Sequence, residues 1–170
     1  MKIVMDAAVD VFDWLHGEWA FSREVPGNAS IRGEARVTPT GDNAARYEET
    51  ALVSLVAGAR LHAKQCYEYH RLPSAVNGFD VLFCETGELF ERLEFRALND
   101  GSLEARARYV CAADVYESTF TVHGERLQVE HAVKGPKKDY RVTTEYRRMA
   151  RSRVSAGTRG VRGDRYNPRR

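Results

Sequence analysis

The sequence predicts an all-β protein, an antiparallel up-and-down β-barrel of about ten strands with a short N-terminal helix. Three observations carry this. Apolar and polar residues alternate with period two in one segment after another from Gly17 onward. Clusters of Gly, Pro, Asn and Asp punctuate those segments at short intervals. No second stretch has the helical length that a crossover between parallel strands needs, so consecutive strands must run antiparallel.

Taken in order, Asp6 is placed to cap a short helix in which Val9, Phe12 and Leu15 share one face. From Gly17 the period changes: Trp19, Phe21 and Val25 alternate with Ala20, Ser22 and Glu24 until Pro26-Gly27-Asn28 turns the chain. Ile31, Gly33, Ala35 and Val37 then oppose Arg32, Glu34 and Arg36, ending at Pro39 to Asn43. A third strand runs from about Tyr47 to Leu55 and a fourth from about Leu61 to Tyr69, followed by a loop over Pro73 to Gly78. FDVLFCET turns at Gly87, and LFERLEFRAL reads as a single strand ending at Asn99-Asp100-Gly101. In SLEARARYVC, Leu103, Ala105, Ala107, Tyr109 and Cys111 face away from Glu104, Arg106 and Arg108. VYESTFTV turns at His123-Gly124 into RLQVEHAV, where Leu127, Val129, His131 and Val133 share a face. After Lys134-Gly135-Pro136-Lys137 the last strand presents Tyr140, Val142, Thr144 and Tyr146 on one side. Closing such a meander into a barrel removes its unpaired edges, and a barrel of this size has room for a small ligand.

Composition bounds the rest. A chain of 170 residues, 43% hydrophobic and 29% charged, suits one core, so residues 1–150 are expected to form a single barrel domain. Residues 151–170 hold seven arginines, one aspartate and no apolar periodicity, and read as a disordered basic tail. The first fifteen residues resemble neither a secretory signal nor a transit peptide, and no run is long enough to span a membrane. Cys66, Cys84 and Cys111 are odd in number and lack C-x-x-C spacing, which argues against disulfides and structural zinc; a reducing, cytoplasmic setting and no metal follow as expectations.

The helix followed by L-x-G-x-W (Leu15, Gly17, Trp19) resembles the calycin superfamily of lipocalins and fatty-acid-binding proteins. The resemblance implies that Trp19 plugs the closed end of the barrel, that Gly17 permits the tight turn into the first strand, and that a basic residue of the last strand, Arg147 or Arg148, packs on the indole. From Phe12 to Arg148 the chain also resembles an uncharacterised lipocalin-like domain-of-unknown-function family. The matching stretches are L-H-G-E-W, Y-V-C-A-A-D-V-Y and V-K-G-P-K-K-D-Y-R, with Tyr109 standing where that family commonly has His. This second resemblance implies a fold and no activity.

With the more apolar face of each strand turned inward, a ligand cavity would be lined by Tyr109, Cys111, Tyr116, Phe120, His131, Tyr140, Thr144 and Tyr146. His131 is the only imidazole on an otherwise apolar face; it reads as a core histidine first, and as a ligand contact or acid/base second. Cys111 reads as a small buried hydrophobe rather than a nucleophile. Glu49 and Glu91 interrupt apolar faces and must sit at the mouth or pair with an Arg such as Arg23. His62, Lys64, Glu68 and His70 form a solvated face, and the lysines of KGPKKD a solvated turn. No nucleotide-loop, zincin, nucleophile-elbow or deaminase motif is present, so the catalytic residues and cofactor stay unassigned. The leading expectation is a protein that binds a small hydrophobic ligand. The alternatives are an enzyme using His131 for proton transfer or cyclisation, and an interaction module whose Arg-rich tail binds nucleic acid.

Overall fold

The computed structural model describes residues 9–150. They form one short helix and eleven strands: α1 Val11–Trp14, β1 Gly17–Val25, β2 Ala29–Gly41, β3 Ala44–Leu55, β4 Arg60–Arg71, β5 Gly78–Phe83, β6 Leu89–Glu94, β7 Arg96–Ala97, β8 Leu103–Cys111, β9 Asp114–His123, β10 Arg126–Gly135 and β11 Lys138–Arg148. All pair antiparallel in one sheet of order β6-β5-β4-β3-β2-β1-β11-β10-β9-β8-β7. First and last strands meet through Trp19↔Arg148 and Phe21↔Tyr146. The two free ends of the sheet come together where β6 packs against β8, leaving a nearly closed barrel.

Strand alternation sets the two surfaces. Trp19, Phe21, Ala35, Val37, Tyr47, Ala51, Tyr69, Phe79, Leu93, Leu103, Val122 and Val129 belong to one buried core, while the residues between them face out. Gly33 lets two walls approach: a Cβ there would stand 2.2 Å from the carbonyl oxygen of Thr50 and 2.8 Å from Cζ of Phe21.

One end of the barrel is stoppered by α1 and the plug beneath it. Trp19 donates its indole N–H to the carbonyl of Leu15 at 2.8 Å. The Arg148 guanidinium lies 4.3 Å from the Trp19 ring and 5.0 Å from that of Trp14, and donates to the carbonyls of Trp14 and His16. Gly17 takes φ +127°, a backbone state closed to most side chains. Asn77 fastens the segment before the plug, accepting from Val11 N–H at 2.9 Å and donating to the Val9 carbonyl at 2.7 Å. Arg71 bridges Asp10 and Asp13 while lying over Phe12.

Several expectations are corrected. Cys66 and Cys84 form a disulfide: β4 and β5 pair Tyr67 with Phe83, which sets these cysteines opposite each other, Cα to Cα 5.7 Å. Cys111 is exposed at the end of β8 and is no core residue, because the strand has left the barrel wall at its turn. Of the two candidate arginines only Arg148 reaches the indole; Arg147 faces solvent, one residue out of phase. The helix cap is Asp10, whose carboxylate accepts from the Asp13 N–H, and Asp6 lies outside the described residues along with the tail 151–170. The segment read as one strand breaks at Phe95 into β6 and β7, because the chain changes partner there: it pairs with β5 as far as Gly78↔Glu94, and with β8 from Arg96↔Glu104 onward. Among the described residues no helix is long and apolar enough to cross a membrane.

Candidate functional site

The barrel interior has three levels. Nearest the plug it is packed, with a cavity of about 30 Å³ bordered by Leu15, Val37, Tyr69, Phe79 and Leu127, enough for a water molecule. Above that lies a belt of polar side chains inside the wall. Beyond the belt, towards the turns 26–28, 56–59, 84–88, 112–113 and 136–137, the side chains are a cluster of half-buried aromatics.

The belt contains two networks. In the first, Arg23 of β1 faces Glu49 of β3 with both N···O distances at 3.4 Å, and its Nε donates to Thr144 Oγ1 at 2.8 Å. Tyr47 donates its hydroxyl to the same carboxylate and stands 3.0 Å from the Tyr146 hydroxyl. Burial holds the Tyr47 phenol well above its ordinary pKa, so it remains a neutral donor. Glu49 is thus paired with Arg23, one of the two arrangements its position required.

The second network has no arginine. Glu91 of β6 is 3% exposed and accepts a hydrogen bond from the Ser118 hydroxyl of β9. That hydroxyl lies 2.7 Å from Nδ1 of His131 on β10. Burial pushes the Glu91 carboxyl up to about 7, with the Ser118 bond opposing it. Burial, then the charge of Arg23, brings the His131 imidazole down to about 4. Glu91 therefore fits neither arrangement expected of it, a place at the rim or an arginine partner. It is kept inside by a hydroxyl and by a carboxyl that titrates near neutrality.

In the aromatic level, Phe90 is stacked on Tyr67 at 5.6 Å and meets Phe83 at 4.8 Å and Tyr109 at 5.2 Å; Tyr109 continues to Tyr116 at 6.1 Å. Phe90 joins this cluster from the β-bulge where the β5–β6 register shifts, and all five are half-buried rather than sealed. Lys138 donates to the Tyr116 hydroxyl at 3.0 Å and pairs with Asp114 at 2.6 Å, tying the last hairpin to the rim. One lysine of the KGPKKD turn is therefore bound, not simply solvated.

The structure places the eight residues singled out in the sequence as follows. Thr144 and Tyr146 lie buried in the belt together with the half-buried His131, and Phe120 is half-buried beside it. Tyr109 and Tyr116 belong to the aromatic level, and Cys111 and Tyr140 are exposed at the rim, Tyr140 by 41%. Sequence reasoning missed Ser118, Tyr47, Tyr67 and Phe90. Ser118 had a signal, a small polar residue in phase between Tyr116 and Phe120.

A larger concavity, about 900 Å³, crosses the outer faces of β1 to β4, bordered by Glu18, Glu34, Arg36, Glu48, Lys64 and the disulfide. Its border is mostly charged. Among the described residues no three His, Cys, Asp or Glu side chains are gathered to hold a metal ion.

Fold and interior together define a small, nearly closed antiparallel β-barrel, plugged at one end and lined with half-buried aromatic side chains towards the other. The chain belongs to the family of unknown function DUF6314, whose profile matches residues 15–148. No curated protein matches the chain. Among solved structures, a de novo designed fluorescence-activating β-barrel aligns with TM-score 0.41 and 14% identity over 83% of this chain and 99% of that one. A redesigned β-barrel, mFAP1, bound to DFHBI, aligns with TM-score 0.41 and 10% identity over 82% of this chain and 100% of that one.

Proposed function

We propose that this chain binds a small, largely apolar molecule in the aromatic half of its barrel and does no chemistry on it. One observation carries the reading: Tyr67, Phe83, Phe90, Tyr109 and Tyr116 form a contiguous aromatic cluster at the end away from the plug and are half-buried rather than sealed, so an apolar ligand can reach an aromatic surface there. Aromatic lining above a few buried polar groups is how small-molecule sites are commonly built.

The polar groups support binding over catalysis. A serine, a histidine and a carboxylate are linked, but in the wrong order for acyl transfer: the acid bonds the serine instead of orienting the imidazole, and Ser118 is 2% exposed. An imidazole brought down to about 4 is a feeble base at neutral pH, which weighs against His131 as the proton acceptor of an enzyme.

The test is fluorescence titration of the full chain with N-phenyl-1-naphthylamine, an uncharged apolar probe. Saturable, blue-shifted emission at one site per chain is expected. Ala107, inward and half-buried on β8 next to Tyr109, offers a filling variant. Ala107→Trp should weaken the probe about tenfold or more, a loss of about 1.4 kcal/mol. No saturable signal, or a signal untouched in a folded Ala107→Trp protein, would remove the reading.

A further inference from the structure

Two buried side chains, Glu91 of β6 and Ser118 of β9, and the half-buried His131 of β10 meet at one hydroxyl, and that meeting has a definite proton logic. Ser118 Oγ touches both Glu91 Oε1 and His131 Nδ1. A hydroxyl has one proton to give. It therefore donates to one neighbour and accepts from the other. With Glu91 ionised, the carboxylate takes the Ser118 proton, the hydroxyl oxygen must accept from His131 Nδ1–H, and His131 Nε2 is left with a lone pair. With Glu91 protonated, the carboxyl donates to Ser118, Ser118 donates to Nδ1, and the ring proton sits on Nε2.

The other ring nitrogen is where this matters. Among the described residues His131 Nε2 has no hydrogen-bond partner, and it is not one of the side-chain atoms sealed from solvent without one; that condition is met only by His16 Nε2. Nε2 thus faces reachable space.

We propose that Glu91, Ser118 and His131 form the polar anchor of the barrel's ligand, an anchor that accepts a hydrogen bond at Nε2 when Glu91 is ionised and donates one when Glu91 is protonated. It rests on the binding reading above and specifies its ligand: an apolar molecule carrying one uncharged hydrogen-bonding group. A carbonyl-type acceptor is held in the protonated state, and a hydroxyl or N–H donor in the ionised one. The protons balance along the chain. A proton arriving at Nε2 releases the Nδ1 proton to the Ser118 oxygen, whose own proton passes to Glu91 Oε1. One proton has been taken up, the imidazole is again neutral, and both hydrogen bonds are reversed. The buried carboxyl is protonated through the ring without itself meeting water.

Physical chemistry places the change in an accessible range. Burial brings the Glu91 carboxyl to about 7, and a ring brought to about 4 stays neutral while Glu91 titrates. The other charged or titratable groups facing the pair are Arg23 of β1, Tyr47 and Glu49 of β3, Tyr67 and Tyr69 of β4, Tyr109 of β8 and Tyr146 of β11. Burial raises Tyr47, Tyr67, Tyr69 and Tyr146 above their ordinary values, so these phenols keep their protons. Arg23 is held by Glu49.

The first measurement needs no ligand. Imidazole ¹⁵N shifts of His131 in the full chain, followed from pH 5 to 9, should show a neutral ring passing from the Nε2–H to the Nδ1–H form. Glu91→Gln, whose amide can accept from or donate to Ser118 but cannot titrate, should hold one tautomer ratio unchanged across this range, and Ser118→Ala should remove the coupling. One unchanging tautomer in the native chain, or a conversion that persists in Glu91→Gln, overturns the proposal. The second measurement compares 6-propionyl-2-dimethylaminonaphthalene, a ketone acceptor, with N-phenyl-1-naphthylamine, an N–H donor. The ketone should tighten and the amine loosen as pH falls from 8 to 6, each by about fivefold, one hydrogen bond's worth. Two probes that bind with flat pH profiles overturn the anchor and leave the binding reading standing. If neither probe binds at any pH, both fall.

Discussion

Glu91→Gln removes a buried titrating group while keeping its shape, and the consequence for stability can be worked through. The native carboxyl titrates at about 7 against 4.5 in the unfolded chain, so between those values the folded protein holds a proton that the unfolded chain has released. Stability from this group is therefore full below 4.5 and is lost as pH rises to 7, by about 3 kcal/mol in all. His131 acts oppositely. Its folded value is brought from 6.5 to about 4, so the unfolded chain holds the extra proton and stability is lost as pH falls through that window. Where the two windows overlap the slopes cancel, and the native protein shows little of either. Urea unfolding of both proteins from pH 4.5 to 8 isolates the carboxyl. The stability of Glu91→Gln relative to the native chain should rise by about 3 kcal/mol between pH 4.5 and 7.5. A difference that stays constant, or that runs the other way, would refute a carboxyl held in the barrel by burial.

Arg148→Ala takes away two carbonyl bonds and the cation over Trp14 and Trp19, and urea unfolding should register a loss of about 2 kcal/mol or more, whereas Arg147→Ala should stay within about 0.5 kcal/mol. Equal effects would contradict the plug. The Cys66–Cys84 bridge closes a segment of sequence separation 18, so reduction should cost about 3 kcal/mol in the same assay. Iodoacetamide should modify Cys111 in the folded, oxidised chain and leave Cys66 and Cys84 intact until a reductant is added.

Much of this protein is local and can be read from the chain itself. Period-two alternation is written residue by residue, so it identifies strands and their inward faces without knowledge of the partner strand. Alternation alone turns Trp19, Tyr109, Phe120, His131, Thr144 and Tyr146 to one side of their strands, and the L-x-G-x-W stretch marks the plug. Alternation says nothing of where a face ends. Cys111 and Tyr140 keep the inward phase yet have passed the rim, and the break at Phe95 depends on the chain passing from β5 to β8 as its partner.

What only the tertiary structure decided is which inward side chains meet. Cys66 finds Cys84 because β4 and β5 adopt the register Tyr67↔Phe83. Arg23 finds Glu49 across β2, and Glu91 finds Ser118 because the sheet curls until β6 reaches β8, with no backbone ladder joining them. Direction belongs to a single strand, but distance belongs to the closed surface, and a barrel brings together residues whose separation along the chain gives no sign of it.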